Sequence, residues 1–130
     1  MKKISVMFII LLTVVATGFS QGPPVTVSAR HILISYAGSA TQSDVSISKE
    51  DALAKIMEIN EMITSGEIDF SEAAMEYSDC PSGARGGDLG EFRRGQMVSA
   101  FEDTAFSLAI GQMSGIVETQ FGYHLIIRDK

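Results

Sequence analysis

Histidine occurs twice in this 130-residue chain, each time inside a short apolar run near one end: Ala29-Arg30-His31-Ile32-Leu33-Ile34 and Gly122-Tyr123-His124-Leu125-Ile126-Ile127. Between them lies a dense block running from Tyr77 through Cys80, Ser82, Leu89, Phe92 and Met97 to Phe101. If the two terminal runs pair side by side as strands, both imidazoles share one face, and the block supplies a thiol, a hydroxyl and an apolar wall. That combination outlines a site that binds peptide. Two other chemistries draw on the same residue types: hydrolysis by Cys80 with His31, His124 or Asp79 as base, and metal ligation by that set. Both are disfavoured, because the histidines fall within strands and no oxyanion-hole sequence is apparent.

Each of these residues also has a plain structural reading. A histidine in an apolar strand is ordinarily a core residue, and here mutual hydrogen bonding that stiffens the site is favoured over proton transfer. Cys80 taken alone reads as a small buried hydrophobe. Leu89, Met97 and Phe101 are spread across a glycine-rich turn rather than along one helix face, which suits a cavity wall. The stretch from Gly83 to Gly90 lacks the Gly-Lys-Ser/Thr ending and long following helix of a phosphate-binding loop. Arg93 and Arg94 read as a solvated surface pair.

The elements that must position these residues follow from periodicity and punctuation. Val25 to Ile34 alternates and ends β-branched, which predicts a strand. Ser35 to Ile47 is rich in Ser, Thr, Ala and Gly and reads as a loop. Ser48 with Asp51 opens a helix carrying Ala52, Ile56, Ile59 and Ile63 at helical spacing, and Gly66 stops it. Asp69 with Glu72 opens a second helix through Tyr77, with Phe70, Ala73, Ala74 and Tyr77 as its inner side. Glycines then force sharp turns around a short extended piece, Leu89 to Arg93. Ser99 with Glu102 is expected to cap a third helix bearing Phe101, Ala105, Phe106 and Leu108, ended by Gly111. Gly115 to Thr119 and Tyr123 to Arg128 read as strands joined at Gln120-Phe121-Gly122. This order predicts an α+β domain with a mostly antiparallel sheet covered by helices, and the two histidine strands at its centre.

Length bounds the chain to one domain with one real core. Residues Met1 to Ser20 have the pattern of a secretory signal peptide: Lys2-Lys3, an apolar run from Ile4 to Ala16, then small residues around Phe19. The run is shorter than the roughly 20 apolar residues of a membrane span, so cleavage and export are expected rather than anchoring. The domain division is then 1–20 leader, 21–28 linker and 29–130 folded domain. Loss of the leader removes two lysines and no acid, so ten Lys+Arg become eight against sixteen Asp+Glu and the formal charge moves from −6 to −8. Such an acidic chain argues against nucleic acid or an anionic membrane as partner. Cys80, the lone cysteine, cannot form an internal disulfide, so the fold rests on its core.

At this level of detail the chain resembles the parvulin-type peptidyl-prolyl cis/trans isomerases, or rotamases. The resemblance runs from about Ala29 to Lys130. It is carried by Ala29 to Ile34, by Phe70 to Ala74 with Tyr77 to Cys80, by Gly86 to Gly90, by Gly95 to Met97 with Phe101-Glu102, and by Gly122 to His124. It implies a four-stranded, mostly antiparallel sheet surrounded by helices. It further implies proline-containing peptide segments as partners, and no cofactor or metal. His31 and His124 correspond to paired core histidines, Cys80 to a position that holds cysteine or aspartate, and Ser82 and Thr119 to polar neighbours. Leu89, Met97 and Phe101 correspond to the cup for the prolyl ring, with Phe92 and Phe121 near its rim. At the Phe121 position some relatives carry a small polar residue. Relatives that require phosphoserine- or phosphothreonine-proline place basic residues in the stretch that is Ser35 to Ile47 here, which has one charge, Asp44, and no Lys or Arg. The implied substrates are therefore ordinary X-Pro bonds of exported, unfolded chains. A parvulin-fold chaperone that binds such segments without catalysis is the alternative.

Overall fold

The computed structural model describes residues 25–41 and 45–130; the expected leader, 1–20, and the Gly-Pro-Pro segment lie outside the described residues. In chain order the elements are β1 (Thr26–Ile34), α1 (Lys49–Thr64), α2 (Phe70–Tyr77), a 3-10 turn (Pro81–Arg85), β2 (Asp88–Arg93), α3 (Ser99–Ser107), β3 (Val117–Thr119) and β4 (Gly122–Arg128). The strands form one antiparallel sheet in the order β2-β1-β4-β3, with the two histidine strands in the middle. Thr26 to Ser28 belong to β1, so the sheet takes in three residues that a division at Ala29 leaves to the linker.

Alternation along the two central strands divides the molecule into two apolar layers. Ile32 and Ile34 of β1, with Tyr123 and Leu125 of β4, face α1 and α2 and pack on Ala52, Ile56, Ile59, Phe70, Ala73 and Ala74. Val27 and Ala29 of β1, with Ile126 of β4, face the opposite way onto Phe101, Ala105, Phe106 and Leu108 of the α3 segment. His31 and His124 have the parity of this second layer.

Both expected caps at the first two helices form. Ser48 Oγ accepts the N–H of Asp51 at 3.0 Å, and Asp69 Oδ1 accepts that of Glu72 at 2.8 Å. The third differs: Val98 is the N-cap residue of α3 and offers no side-chain bond. Glu102, expected to take part in capping, instead accepts the backbone N–H of Gly95 and pairs with Arg94. The tight turn before α3 brings its own unpaired N–H to that carboxylate, so Glu102 ties the turn rather than the helix end. Helix α3 also ends before Gly111, at Ser107 with Leu108 as C-cap. The third strand is shorter than expected: Met113 bridges Ile127, but Ser114 then turns its hydroxyl onto the Ile126 N–H at 2.9 Å, and regular pairing resumes only at Val117.

Two glycines set the close approach of the chain to β1. Gly87 has φ of +87° and Gly122 of +136°, and a Cβ on either would collide with a β1 carbonyl oxygen, that of His31 or of Ile34.

Candidate active site

Beyond Arg30 the pairing of β1 with β2 ends, and a different set of groups covers that edge of β1. The His31 N–H donates to Gly87 O at 3.0 Å, the Leu33 N–H to Ser78 Oγ at 3.1 Å, and the Ser35 N–H to Asp79 Oδ2 at 2.8 Å. The Asp79 N–H returns a bond to Leu33 O at 2.7 Å. These bonds lash the Ser78-Asp79-Cys80 segment along the strand that carries His31, which is how a residue 49 positions later in the sequence reaches the imidazoles. Pro81 then starts the 3-10 turn, a position where its missing N–H costs nothing.

His31 on β1 pairs with Ile126, and Leu33 with His124, so the two imidazoles are diagonal neighbours on one face. Their Nδ1 atoms lie 3.1 Å apart and the rings stack at 5.3 Å. His124 Nε2 lies 2.7 Å from Thr119 Oγ1, which also accepts the Phe121 N–H at 3.1 Å. These partners assign the protons. Thr119 Oγ1 accepts from Phe121, and its O–H has no other acceptor among the described residues, so the hydroxyl donates to His124 Nε2. His124 then donates from Nδ1 to His31 Nδ1, and His31 carries its proton on Nε2. That last atom is buried with no hydrogen-bond partner among the described residues, as are Ser82 Oγ and Ser35 Oγ.

Burial holds both imidazoles neutral. It lowers the His31 pKa to about 4; for His124 burial, followed by the neighbouring His31 charge, lowers it to about 3. Neither ring is therefore a base poised near neutrality, and among the described residues no hydrogen bond joins Cys80 to either ring. A cysteine nucleophile needs a base within reach, so the hydrolase constellation is not assembled.

Phe101 stands edge-on over both rings, its centroid 5.4 Å from each. Around it opens a cleft of about 670 Å³ whose lining includes His31, His124, Cys80, Leu89, Met97, Phe101 and Phe121. A β-bulge delivers Leu89. Between the pairs Ser28–Glu91 and Arg30–Asp88 the β2 strand spends one residue more than β1, with Gly90 at φ of +69°. The extra residue shifts Leu89 onto the same face as Phe92, where strict alternation would have turned it away.

Three of the named residues do not line the cleft. Thr119 lies behind His124, and Ser82 is buried in the 3-10 turn. Phe92, expected near the rim, is 3% exposed and packs behind Phe101 and Phe106 at 6.0 Å each, so it supports the wall rather than forming its edge. The cleft also uses residues that sequence reasoning passed over: Leu33, Gln96, Val98 and the loop residues Ala40 and Thr41. Leu33 shares the parity of His31 and could have been found from it; Ala40 and Thr41 carry no such signal.

An antiparallel sheet with helices on both faces, opening on one side into a mostly apolar cleft floored by neutral imidazoles, defines an α+β domain with a cleft of a size and lining suited to peptide. Comparison with known proteins places it further. Residues 14–130 match the family described as the PPIC-type PPIase domain. The chain is 43% identical over 110 residues to the putative peptidyl-prolyl cis-trans isomerase dodo of Drosophila melanogaster, covering 81% of this chain and 66% of that one. It is 40% identical to the Pin1 isomerase of Arabidopsis thaliana, covering 78% and 93% respectively. Its fold is similar to the peptidyl-prolyl isomerase ESS1 of Candida albicans, with a TM-score of 0.79 at 38% identity over 82% of this chain and 63% of the other. The chain belongs to the parvulin-type peptidyl-prolyl cis/trans isomerases.

Proposed function

We infer that this protein isomerises X-Pro bonds in unfolded polypeptide by favouring the twisted imide without covalent chemistry. The uncatalysed barrier is about 18–20 kcal/mol, and no bond has to be made or broken to cross it. Twisting localises the nitrogen lone pair and weakens the amide character of the carbonyl. A dry cup that holds the ring, with fixed dipoles beside the carbonyl, therefore stabilises the half-rotated form over both planar ones. Leu89, Met97 and Phe101 act as the cup; His31, His124 and Cys80 face the same cleft as dipoles, while Thr119 holds the imidazole pair in orientation from behind. Lowering the barrier by about 5–7 kcal/mol amounts to roughly four to five decades in rate.

The observation that carries this reading is Phe101 set edge-on above two neutral imidazoles that are bonded to each other. That arrangement excludes water and fixes dipoles, yet leaves no group poised for proton transfer at neutral pH. The substrates are unphosphorylated: among the described residues the lining has no Lys or Arg, and the sequence 35–47 contains none. The Lys2-Lys3 start and apolar run of residues 1–20 point to an exported protein acting on exported chains, and no helix among the described residues is long and apolar enough to cross a membrane.

Isomerisation kinetics on short X-Pro peptides test the proposal, with phosphorylated peptides as competitors. Catalysis should be present, should fall about tenfold in kcat/KM with Met97→Ala through lost apolar contact, and should show no gain with a phosphorylated X. Binding of peptide without catalysis would assign the chain to the chaperone alternative instead.

A further inference from the structure

The apolar wall of the cleft comes from two elements and the turn between them. Leu89 stands on β2 and Phe101 on α3, and Met97 lies on the connecting turn, 94–98. That turn has little of its own to hold it. Arg93, Arg94, Gly95 and Gln96 are exposed, Gly95 takes a φ of +90°, and α3 begins without a side-chain cap. Met97 is unbranched and turns freely about its side-chain bonds, so neither its backbone nor its rotamer is fixed locally. A loose wall would have to be ordered anew each time a ring entered, at a cost in binding free energy.

The ties that do hold the turn converge on Glu102, the residue after Phe101. Its Oε1 accepts the Gly95 N–H, its Oε2 lies 3.5 Å from Arg94 Nη1, and its backbone N–H donates to Val98 O at 2.9 Å. Gln96 closes the turn on itself, with its Oε1 accepting the Arg93 N–H at 2.7 Å, so a hold on Gly95 is also a hold on Met97 two residues later. The Glu102 side chain is 14% exposed, against 52% for Arg94. An ion pair with a half-exposed arginine contributes little, and Arg94 is shared with Asp103 at 3.6 Å and with the Phe106 ring at 4.5 Å. The sheltered bond from the Gly95 N–H to a carboxylate is the stronger tie. Building on the isomerase reading above, we propose that Glu102, which does not itself line the cleft, is a positioning residue for the reaction: through Gly95 it sets Met97 at a fixed separation from Phe101, so that the cup stands formed before the prolyl ring arrives. The cup grips the ring in its planar and twisted forms alike, so the contribution of Glu102 falls on KM, whereas that of the imidazole pair falls on kcat.

The test is a double-mutant cycle on the full chain with Met97→Ala and Glu102→Ala, read as kcat and KM on a short X-Pro peptide and as the urea midpoint. Glu102→Ala should raise KM about tenfold, the scale of one large apolar contact, with kcat within about twofold of the unmodified chain. In the Met97→Ala background the same substitution should cost less than about twofold in kcat/KM, because the wall it positions is gone, while its effect on the urea midpoint is the same in both backgrounds. Glu102→Gln keeps an acceptor for the Gly95 N–H and should hold KM to within about threefold of the unmodified chain, and Arg94→Ala should do no more harm than that. Losses that multiply in the double variant, an unchanged KM or a fall in kcat alone in folded Glu102→Ala, Glu102→Gln as impaired as Glu102→Ala, or a larger loss with Arg94→Ala than with Glu102→Ala would each overturn the proposal and leave the isomerase reading intact. Should Glu102→Ala fail to fold, Glu102→Asp, one methylene short of the turn, replaces it in the cycle. Absence of catalysis by the unmodified chain on every X-Pro peptide defeats the isomerase reading, and this inference with it.

Discussion

Thr119 is the residue that gives the imidazole pair its direction. Its hydroxyl accepts from Phe121 and donates to His124, and every proton further along is assigned by that choice. Thr119→Val keeps the shape but leaves His124 Nε2 buried without a donor, which costs about 1–3 kcal/mol. Both tautomers of His124 then become comparable, and with them the orientation of His31. The expected outcome is a drop in urea midpoint together with lowered kcat at little-changed KM, since the apolar cup is untouched. Thr119→Ser, which retains the hydroxyl, should restore kcat. Equal loss in both variants would show that the hydroxyl alone does not sustain the site and that packing of the threonine methyl is needed as well.

At the level of elements the site depends on two departures from regular pairing. The bulge in β2 turns Leu89 into the cleft, and the glycine just before that strand lets the chain come down onto β1. Gly87 is the less replaceable feature, since its φ is +87° and an added Cβ would meet His31 O. Gly87→Ala is expected to cost about 2 kcal/mol or more, as a strained backbone and a clash add together. The strain falls on the very carbonyl–amide contact that fixes His31, so kcat/KM should fall in the fraction that remains folded. Gly38→Ala, at a comparable φ of +88° but with open space around the added methyl, separates strain from clash and should cost less in the same melting experiment.

For the whole molecule, the buried histidines couple stability to pH. Their folded-state values, about 4 and about 3, lie below the ordinary value of 6.5. Between roughly pH 6.5 and 4 the unfolded chain therefore binds more protons than the folded one, and stability falls on acidification. The slope is about 1.4 kcal/mol per pH unit for each histidine. It is absent above pH 7, where both states carry neutral rings. Urea unfolding between pH 7.5 and 4.5 should follow that course, with a shallower fall in His124→Asn. Activity, by contrast, should stay level from pH 8 to about 5.5, because the folded rings remain neutral there. An inflection of kcat/KM near 6.5 would mean that an imidazole titrates in the working enzyme, against the non-proton-transfer mechanism.

Local physics left its mark directly in the chain. Strand parity, the Ser48 and Asp69 caps and the apolar spacing of Ala52, Ile56 and Ile59 are short-range matters, and the element order and the α+β class could be read from them. The central place of the two histidine strands followed from their continuous hydrophobicity, because a strand covered on both faces has no polar side to show. What the sequence could not carry were consequences of contacts between distant segments. The turn onto Glu102 replaced the expected cap, the bulge overrode alternation at Leu89, and Phe92 sank behind Phe101 instead of standing at the rim. Ala40 and Thr41 reached the cleft only because a carbonyl of the β3–β4 turn, some eighty residues away, takes the Ala40 N–H. Short-range preferences are encoded residue by residue, whereas the edge that β1 offers beyond Arg30, and what comes to cover it, exists only once the sheet has formed.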